Sequence, residues 1–375
     1  MTARLVLVLN AGSSSLKFEV LDPDSGSTTV GGHLERIGTD GFAAALGEVT
    51  ARLAAAGVGA GDLRAVGHRV VHGGSEFTGP VVVDDAVVRR IEDLVHLAPL
   101  HNPPAVEGIR RARDSFPDVP QVAVFDTAFF AGLPAEAATY ALDRTTTDRL
   151  GIRRYGMHGT SHAYVAHAAA AFLGRPVAEL DQIVLHLGNG ASAAAIGGGR
   201  PLDTSMGFTP LEGLVMGTRA GDLDPGLVLH LLREGDLDVA GLEDLLHHRS
   251  GLAGLAGVSD FRALAAALDA GDEAAAAAYA VYCHRLRKYV GAYLAVLGGA
   301  DVLTFTAGVG ENVPRLREDC LAGLVPLGIE VDPARNRADS HESRVISTDD
   351  SAVTVLVVPT NEELAIAREA VALLG

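Results

Sequence analysis

The stretch Arg4-Leu5-Val6-Leu7-Val8-Leu9-Asn10-Ala11-Gly12-Ser13-Ser14-Ser15-Leu16-Lys17-Phe18-Glu19-Val20 decides the fold, because it has a counterpart about 180 residues on: Ile183-Val184-Leu185-His186-Leu187-Gly188-Asn189-Gly190-Ala191-Ser192-Ala193-Ala194-Ala195-Ile196. Each reads as a buried apolar strand, a tight turn of Gly, Asn and Ser, and a second short strand with polar residues interleaved. Turns of small residues let backbone N–H groups converge on an anion, with no side chain to hold a phosphate away. Two such turns point to a duplicated α/β architecture with a nucleotide held between its halves.

Working outward, 375 residues suffice for two domains, each with its own core. The net charge of −17 argues against a nucleic-acid partner, which would need a basic face. It also requires any anion site to be built locally from a few Arg, Lys, His and backbone donors. The two cysteines, Cys283 and Cys320, form no CxxC pair and fit thiols of a reducing cytosol. The apolar run at 5–9 is too short for a signal-peptide core, and no run of about 18 apolar residues suggests a membrane span, so a cytoplasmic enzyme is expected.

Along the chain, a hairpin is expected around 24–29, a helix over 41–56, a strand over 65–74 and a helix over 84–96. The segment 97–104 reads as a loop leading into a helix that ends before Pro117, and the strand 121–125 stops at Asp126. A helix begins near His158. The polar, Gly-rich segment 203–225 reads as too rich in turn formers to be core. Helices dominate 227–298 with a break near 250–260. The strand 302–306 runs into the loop Ala307-Gly308-Val309-Gly310-Glu311-Asn312, and the last strand, 353–358, stops before Asn361-Glu362-Glu363 and a terminal helix. Alternating strands and helices imply an α/β fold with ligands at strand ends.

The sequence has no GxxxxGK[ST] loop, HExxH, complete GxSxG or full GxGxxG, which removes the P-loop, zincin, hydrolase and simple dinucleotide-binding readings. What remains is a set of polar residues at strand ends. Lys17, the only lysine before Lys288, is either a point charge for phosphate or a solvated strand end. Arg69 lies inside a strand, where a guanidinium needs an ion pair or an anion. Arg219, in Met216-Gly217-Thr218-Arg219-Ala220-Gly221-Asp222, either grips a carboxylate or phosphoryl group or pairs with Asp222 or Asp224. Asp126 is a strand-end carboxylate or a helix N-cap. Glu362 is a magnesium ligand or a first-turn acid favoured by the helix dipole. His158 reads as a donor to a transferring group, and His162 as a packing or capping residue.

Together these segments resemble the acetate kinases, within the superfamily of acetate and sugar kinases, heat-shock chaperones and actin. The resemblance rests on LVLNAGSSSLKF, GHRVVHGG, LAPLHNPP, VFDTAFF, RRYGMHGTSH, LHLGNGAS, DTSMGFTPLEGLVMGTRAGDLDP, FTAGVGEN and TNEE, in the family's order from end to end. It implies two actin-like (ribonuclease H-like) domains, 1–130 plus 364–375 and 131–363, with the active site in the cleft between them. It also implies reversible transfer from ATP to acetate, giving ADP and acetyl phosphate, with Mg²⁺ (or Mn²⁺) as metal, propionate as a secondary substrate and a homodimer formed through the second domain.

Carried onto matching positions, Asn10 and Glu362 would organise the metal. Lys17, with Ser13 and Ser15, would reach the ATP phosphates. The segments His186-Leu187-Gly188-Asn189-Gly190, Asp260-Phe261-Arg262 and Gly308-Val309-Gly310-Glu311-Asn312 would bind the nucleotide. Arg69 would hold the substrate carboxylate, with Val71, Leu100, Met157 and Pro210 around its methyl group. Asp126 corresponds to the family's catalytic acid. His158 and Arg219 would stabilise the phosphoryl group in flight. The carboxylate is already a nucleophile, so no strong base is needed, and Asp126 has the alternative of orienting Arg219 or a metal-bound water. Two departures stand out. The family commonly has Phe where this chain has Met157, a narrower and more flexible side chain that would admit propionate more readily. The region between Val20 and Arg64 is also short. The competing class is a chaperone-like or filament-forming ATPase, which would turn over ATP without any carboxylate.

Overall fold

The computed structural model describes residues 4–12, 15–35, 37 and 41–375, so Ser13 lies outside the described residues. The chain divides into two units. The first comprises 1–131, 157–161 and 361–375, and the second 132–156 and 162–360.

The first unit holds β1 (Leu5–Ala11), β2 (Ser15–Leu21), β3 (Thr28–Glu35), β4 (Leu63–Val70), β5 (Val81–Val82) and β6 (Gln121–Phe125), in the order β3-β2-β1-β4-β6-β5. β1 to β3 form an antiparallel meander, while β4 and β6 run parallel to β1. Val6 to Leu9 are almost fully buried, as a continuous apolar run must be when a strand is covered on both faces. One core cluster joins Leu7, Leu9, Phe18 and Val66 to Leu46, Val49 and Leu53 of the helix Gly41–Ala55, and to Ala112 and Phe116. The C-terminal helix, Glu362–Leu374, packs on β4 where Gly67 leaves room: a Cβ at Gly67 would lie 2.7 Å from Ile366.

The second unit repeats the plan with β7 (Asp181–Leu187), β8 (Ala191–Gly197), β9 (Arg200–Thr204), β10 (Val302–Thr306), β11 (Arg344–Val345) and β12 (Thr354–Val357), ordered β9-β8-β7-β10-β12-β11. Its strand directions match the first sheet one for one. The duplication read from two hairpins therefore extends to both six-stranded sheets, the α/β arrangement of actin-like domains. In β8 the only polar side chain is Ser192, and alanines fill the buried run.

Several local expectations are corrected. The helix Asn102–Ser115 begins inside the supposed loop, because Pro103 and Pro104 suit a first turn that needs no N–H donors. Residues 307–312 are a six-residue helix rather than a loop. The supposed break near 250–260 contains the helix Gly251–Ala256. In 203–225, Thr204, Ser205, Met206, Leu214, Val215 and Met216 are buried, so apolar and hydroxyl anchors between the glycines make this segment part of the core. The stretch Gly251–Asp269 is long and apolar enough by composition to cross a membrane. However, left-handed Gly257 and the Asp260 N-cap split it into two short helices. Cys283 and Cys320 are free and buried.

Candidate active site

In the first unit the polar residues gather where β1, β4 and β6 end and the C-terminal helix begins. Arg69 sits opposite Val124, one residue from the end of β4. Its Nε and Nη2 donate to the two oxygens of Asp126 at 3.0 and 2.6 Å, and Glu362 lies 3.5 Å away. Burial disfavours the charge on Arg69, but Asp126 first and Glu362 second outweigh it and hold the guanidinium charged. Asp126 is 1 % exposed and caps no helix. Its carboxylate orients Arg69 rather than Arg219. Its backbone carbonyl accepts from Gly159 N–H at 3.0 Å, where a Cβ would lie only 2.1 Å from that oxygen. The preceding residue, His158, has φ +58°, a left-handed conformation that costs a non-glycine residue about 1–3 kcal/mol and clusters at functional sites.

Glu362 and Glu363 open the C-terminal helix, whose N-cap Asn361 accepts from Leu364 N–H at 2.8 Å. Burial pushes the Glu362 carboxyl above its ordinary range; Arg69 opposes the shift, while Asp126 and Glu363 add to it. Lys17 faces Asn10 across β1 and β2, and its Nζ lies 2.5 Å from Glu363. Sequence reasoning missed Glu363, although its place beside Glu362 at a helix start was the available signal. It also missed Asn102, which is fully buried and bonds both the N–H and the C=O of His72, at 3.2 and 3.0 Å. With Thr127, which accepts from Gly73 N–H, it fixes the turn after Val71. Met157 is buried, Val71 half-buried and Leu100 exposed.

The described residues contain no group of three or more His, Cys, Asp and Glu arranged to hold a metal. Asp126, Glu362 and Glu363 nevertheless set three carboxylates against the two cations Arg69 and Lys17. Surplus negative charge with oxygen donors from Glu362 and Asn10 fits a magnesium ion that keeps waters and takes phosphate oxygens as its other ligands.

In the second unit three of the expected segments converge on Gly217. A Cβ there would lie 2.0 Å from Asn189 Oδ1 and 2.6 Å from Ser259 O, and Gly217 N–H donates to Asn189 O. The turn after β7, the segment before Asp260 and the segment carrying Arg219 thus meet on a residue without a side chain. Arg219 Nη1 donates to Pro210 O at 3.2 Å and approaches Met216 Sδ at 3.7 Å, and Arg219 forms no ion pair among the described residues. The pairing with Asp222 or Asp224 is therefore not made: Asp222 instead serves Gly213 N–H, Arg285 and Tyr289, and Asp224 caps a helix. Burial alone lowers the pKa of Arg219.

The remaining nucleotide-segment residues divide their duties. Asp260 accepts from Arg262 N–H and Ala263 N–H as an N-cap, Phe261 packs edge-on against Tyr282, and Arg262 is exposed. Glu311 accepts from Ala307 N–H at 2.8 Å and Thr360 N–H at 3.1 Å, so its carboxylate braces its own helix, where Ala307 holds φ +65°. Asn312 Nδ2 donates to Gly308 O. Arg317, fully buried and not anticipated from sequence, donates to Gly310 O, Glu311 O and both oxygens of Asn336. His186 is buried, its ring 6.2 Å from that of His162, which sits within a helix and bonds Ser192 Oγ at 2.7 Å.

Residues 42–368 match the model of the acetokinase family. Over all of both chains the structure aligns with acetate kinase from Porphyromonas gingivalis at 40% identity and a TM-score of 0.94. Propionate kinase from Francisella tularensis subsp. tularensis SCHU S4 aligns over 98% of each chain at 36% identity and a TM-score of 0.89. Acetate kinase from Entamoeba histolytica does so over 98% of each at 29% identity and 0.88.

Proposed function

The chain belongs to the acetokinase family, and from that premise we propose how its residues move the γ-phosphoryl group of ATP to acetate. It is a phosphotransferase with a carboxyl group as acceptor, and its function is that of an acetate kinase. The likeness to a propionate kinase supports propionate as a second substrate.

The observation that carries the reading is Arg219, a largely buried guanidinium with no carboxylate partner among the described residues. A buried cation with no counter-ion in the fold is matched by an anion brought by the substrate. Arg69, pinned by Asp126, presents its remaining N–H donors to the acetate carboxylate. One carboxylate oxygen attacks phosphorus in line, forming the new O–P bond as the bond to the β-phosphate oxygen breaks and ADP leaves. No proton moves, so Asp126 acts by holding Arg69 rather than as an acid. Arg219 and His158 take up the charge that spreads over the equatorial oxygens. Lys17 would reach the phosphates, with Glu363 holding its Nζ. Asn10 and Glu362 would hold magnesium, whose charge offsets that of the phosphates. The turns at 188–190 and 308–309, where Asn189 and Gly308 are exposed, are offered to the nucleotide. Transfer from ATP carrying a chiral γ-phosphoryl group tests the direct route: inversion at phosphorus supports it, and net retention contradicts it.

The helix Pro225–Glu234 carries Leu227, Val228, Leu229, Leu231 and Leu232, and none of its residues is buried. An apolar helix with no face against its own core needs a partner, which supports a homodimer formed through the second unit. Light scattering of Leu229→Glu/Leu232→Glu against the wild type tests this, a monomer being expected only for the variant.

A further inference from the structure

The segment 204–222 carries Pro210 and Arg219, yet it contains no strand or helix beyond the end of β9. Its shape is imposed by two polar clusters. At its neck, Asp222 N–H donates to Gly213 O and the Asp222 carboxylate accepts from Gly213 N–H and Tyr289 Oη, while Arg285 donates to the carbonyls of Gly213 and Asp222. Along its flank, Glu212 turns back into the protein. Arg154 Nη2 donates to Glu212 Oε1 at 2.6 Å, and Tyr140 Oη donates to Glu212 Oε2 while accepting from Phe208 N–H at 2.9 Å. Arg154 Nη1 also reaches the carbonyls of Thr204, Ser205 and Met206. Gly207 makes the approach possible, since any Cβ there would occupy the place of the Glu212 carboxylate. Glu212 is only two residues from Pro210, whose carbonyl is the one oxygen among the described residues that accepts from the Arg219 guanidinium.

We propose that Arg154 and Glu212 are positioning residues for phosphoryl transfer: their pair fixes the backbone at Pro210, and the Pro210 carbonyl aims Arg219. Burial penalises the charge on Arg154 and Glu212 compensates for it, so removing Glu212 leaves the Arg154 guanidinium without its carboxylate. Neither residue is placed against a substrate here; both act through Arg219. The inference rests on the reading above, in which Arg219 neutralises the moving phosphoryl group, and a misaimed donor loses rate without losing the nucleotide.

The test compares wild type, Glu212→Gln, Arg154→Lys, Arg219→Lys and the double variant Glu212→Gln/Arg219→Lys. It measures kcat for acetyl phosphate synthesis and the Kd of MgADP by calorimetry. Expected are a fall in kcat of about 10- to 100-fold for Glu212→Gln and Arg154→Lys, and an MgADP Kd within about twofold of wild type. In the Arg219→Lys background, Glu212→Gln should add almost nothing, because both changes remove the same aim. Undiminished kcat in Glu212→Gln and Arg154→Lys overturns the inference. So does loss of MgADP binding in step with kcat, or a full additive loss in the double variant, since each marks a merely structural role. A wild-type protein without acetate-dependent turnover would instead remove the reading beneath it, so the two failures are distinct.

Discussion

Arg69, near the end of β4, and Asp126, the residue that follows β6, form an ion pair in which both N–H···O bonds are made, at 3.0 and 2.6 Å. A carboxylate paired in this way has both oxygens engaged by the guanidinium, and a guanidinium held in this way has a fixed direction. On the proposed reading, Asp126 serves catalysis through the direction it gives Arg69.

Asp126→Asn should therefore lower kcat/KM for acetate by about 100-fold while leaving the MgADP Kd almost unchanged. Asp126→Ala should in addition destabilise the protein by about 3–5 kcal/mol, because Arg69 would stay buried with Glu362 as its remaining partner. Steady-state kinetics and denaturant unfolding check the two parts separately.

Arg317 closes the carbonyl end of the helix Ala307–Asn312. Arg317→Met strands those carbonyls and the oxygens of Asn336, so a loss of about 3 kcal/mol of stability and a raised KM for ATP are expected. Lysine has too few donors to span the same acceptors, so Arg317→Lys should recover only part of either. Thermal melts with ATP titrations decide it.

Glu369, on the C-terminal helix, has its carboxyl pushed up to about 7 from 4.5, by burial first and by Asp126 second. A carboxyl raised in the folded state favours folding while it is protonated, so its contribution is present below pH 4.5 and fades as pH rises through 7. Glu369→Gln removes that loss. Its Tm should match wild type at pH 5 and exceed it by about 2–4 °C at pH 8. Equal melting points at pH 8 would contradict the assignment.

Met157→Phe bears on substrate size. Met157 is buried, so a larger ring intrudes on space rather than filling a void. The ratio of propionate to acetate kcat/KM should fall by about 10-fold or more, within the 1–3 kcal/mol a methylene can decide. An unchanged ratio would show that Met157 does not set the length limit.

Much of this site was legible in the sequence because its residues sit where short-range rules apply. Strand ends marked Asn10 and Asp126, a guanidinium inside an apolar strand marked Arg69, a helix start marked Glu362, and the glycine turn at 188–190 stood out against its apolar strand. The rest depends on partners far along the chain. Nothing near Glu212 announces Arg154, 58 residues away, and nothing near Gly310 announces Arg317 and Asn336. The segment Ala307–Asn312 looked like a loop because two of its six residues are glycine. It is a helix because Glu311 binds its first N–H and Arg317 its last carbonyls. The segment 203–225 looked exposed for the same reason, since composition does not show that Met206, Leu214, Val215 and Met216 point inward.

The most direct test is an endpoint assay with purified protein, ATP, Mg²⁺ and hydroxylamine, offering acetate, propionate and butyrate separately. Hydroxylamine traps an acyl phosphate as a coloured hydroxamate. Strong colour with acetate, weaker colour with propionate and least with butyrate is the predicted result. ADP released with no hydroxamate from any acid would contradict the account, and would make the protein an ATPase whose turnover needs no carboxylate.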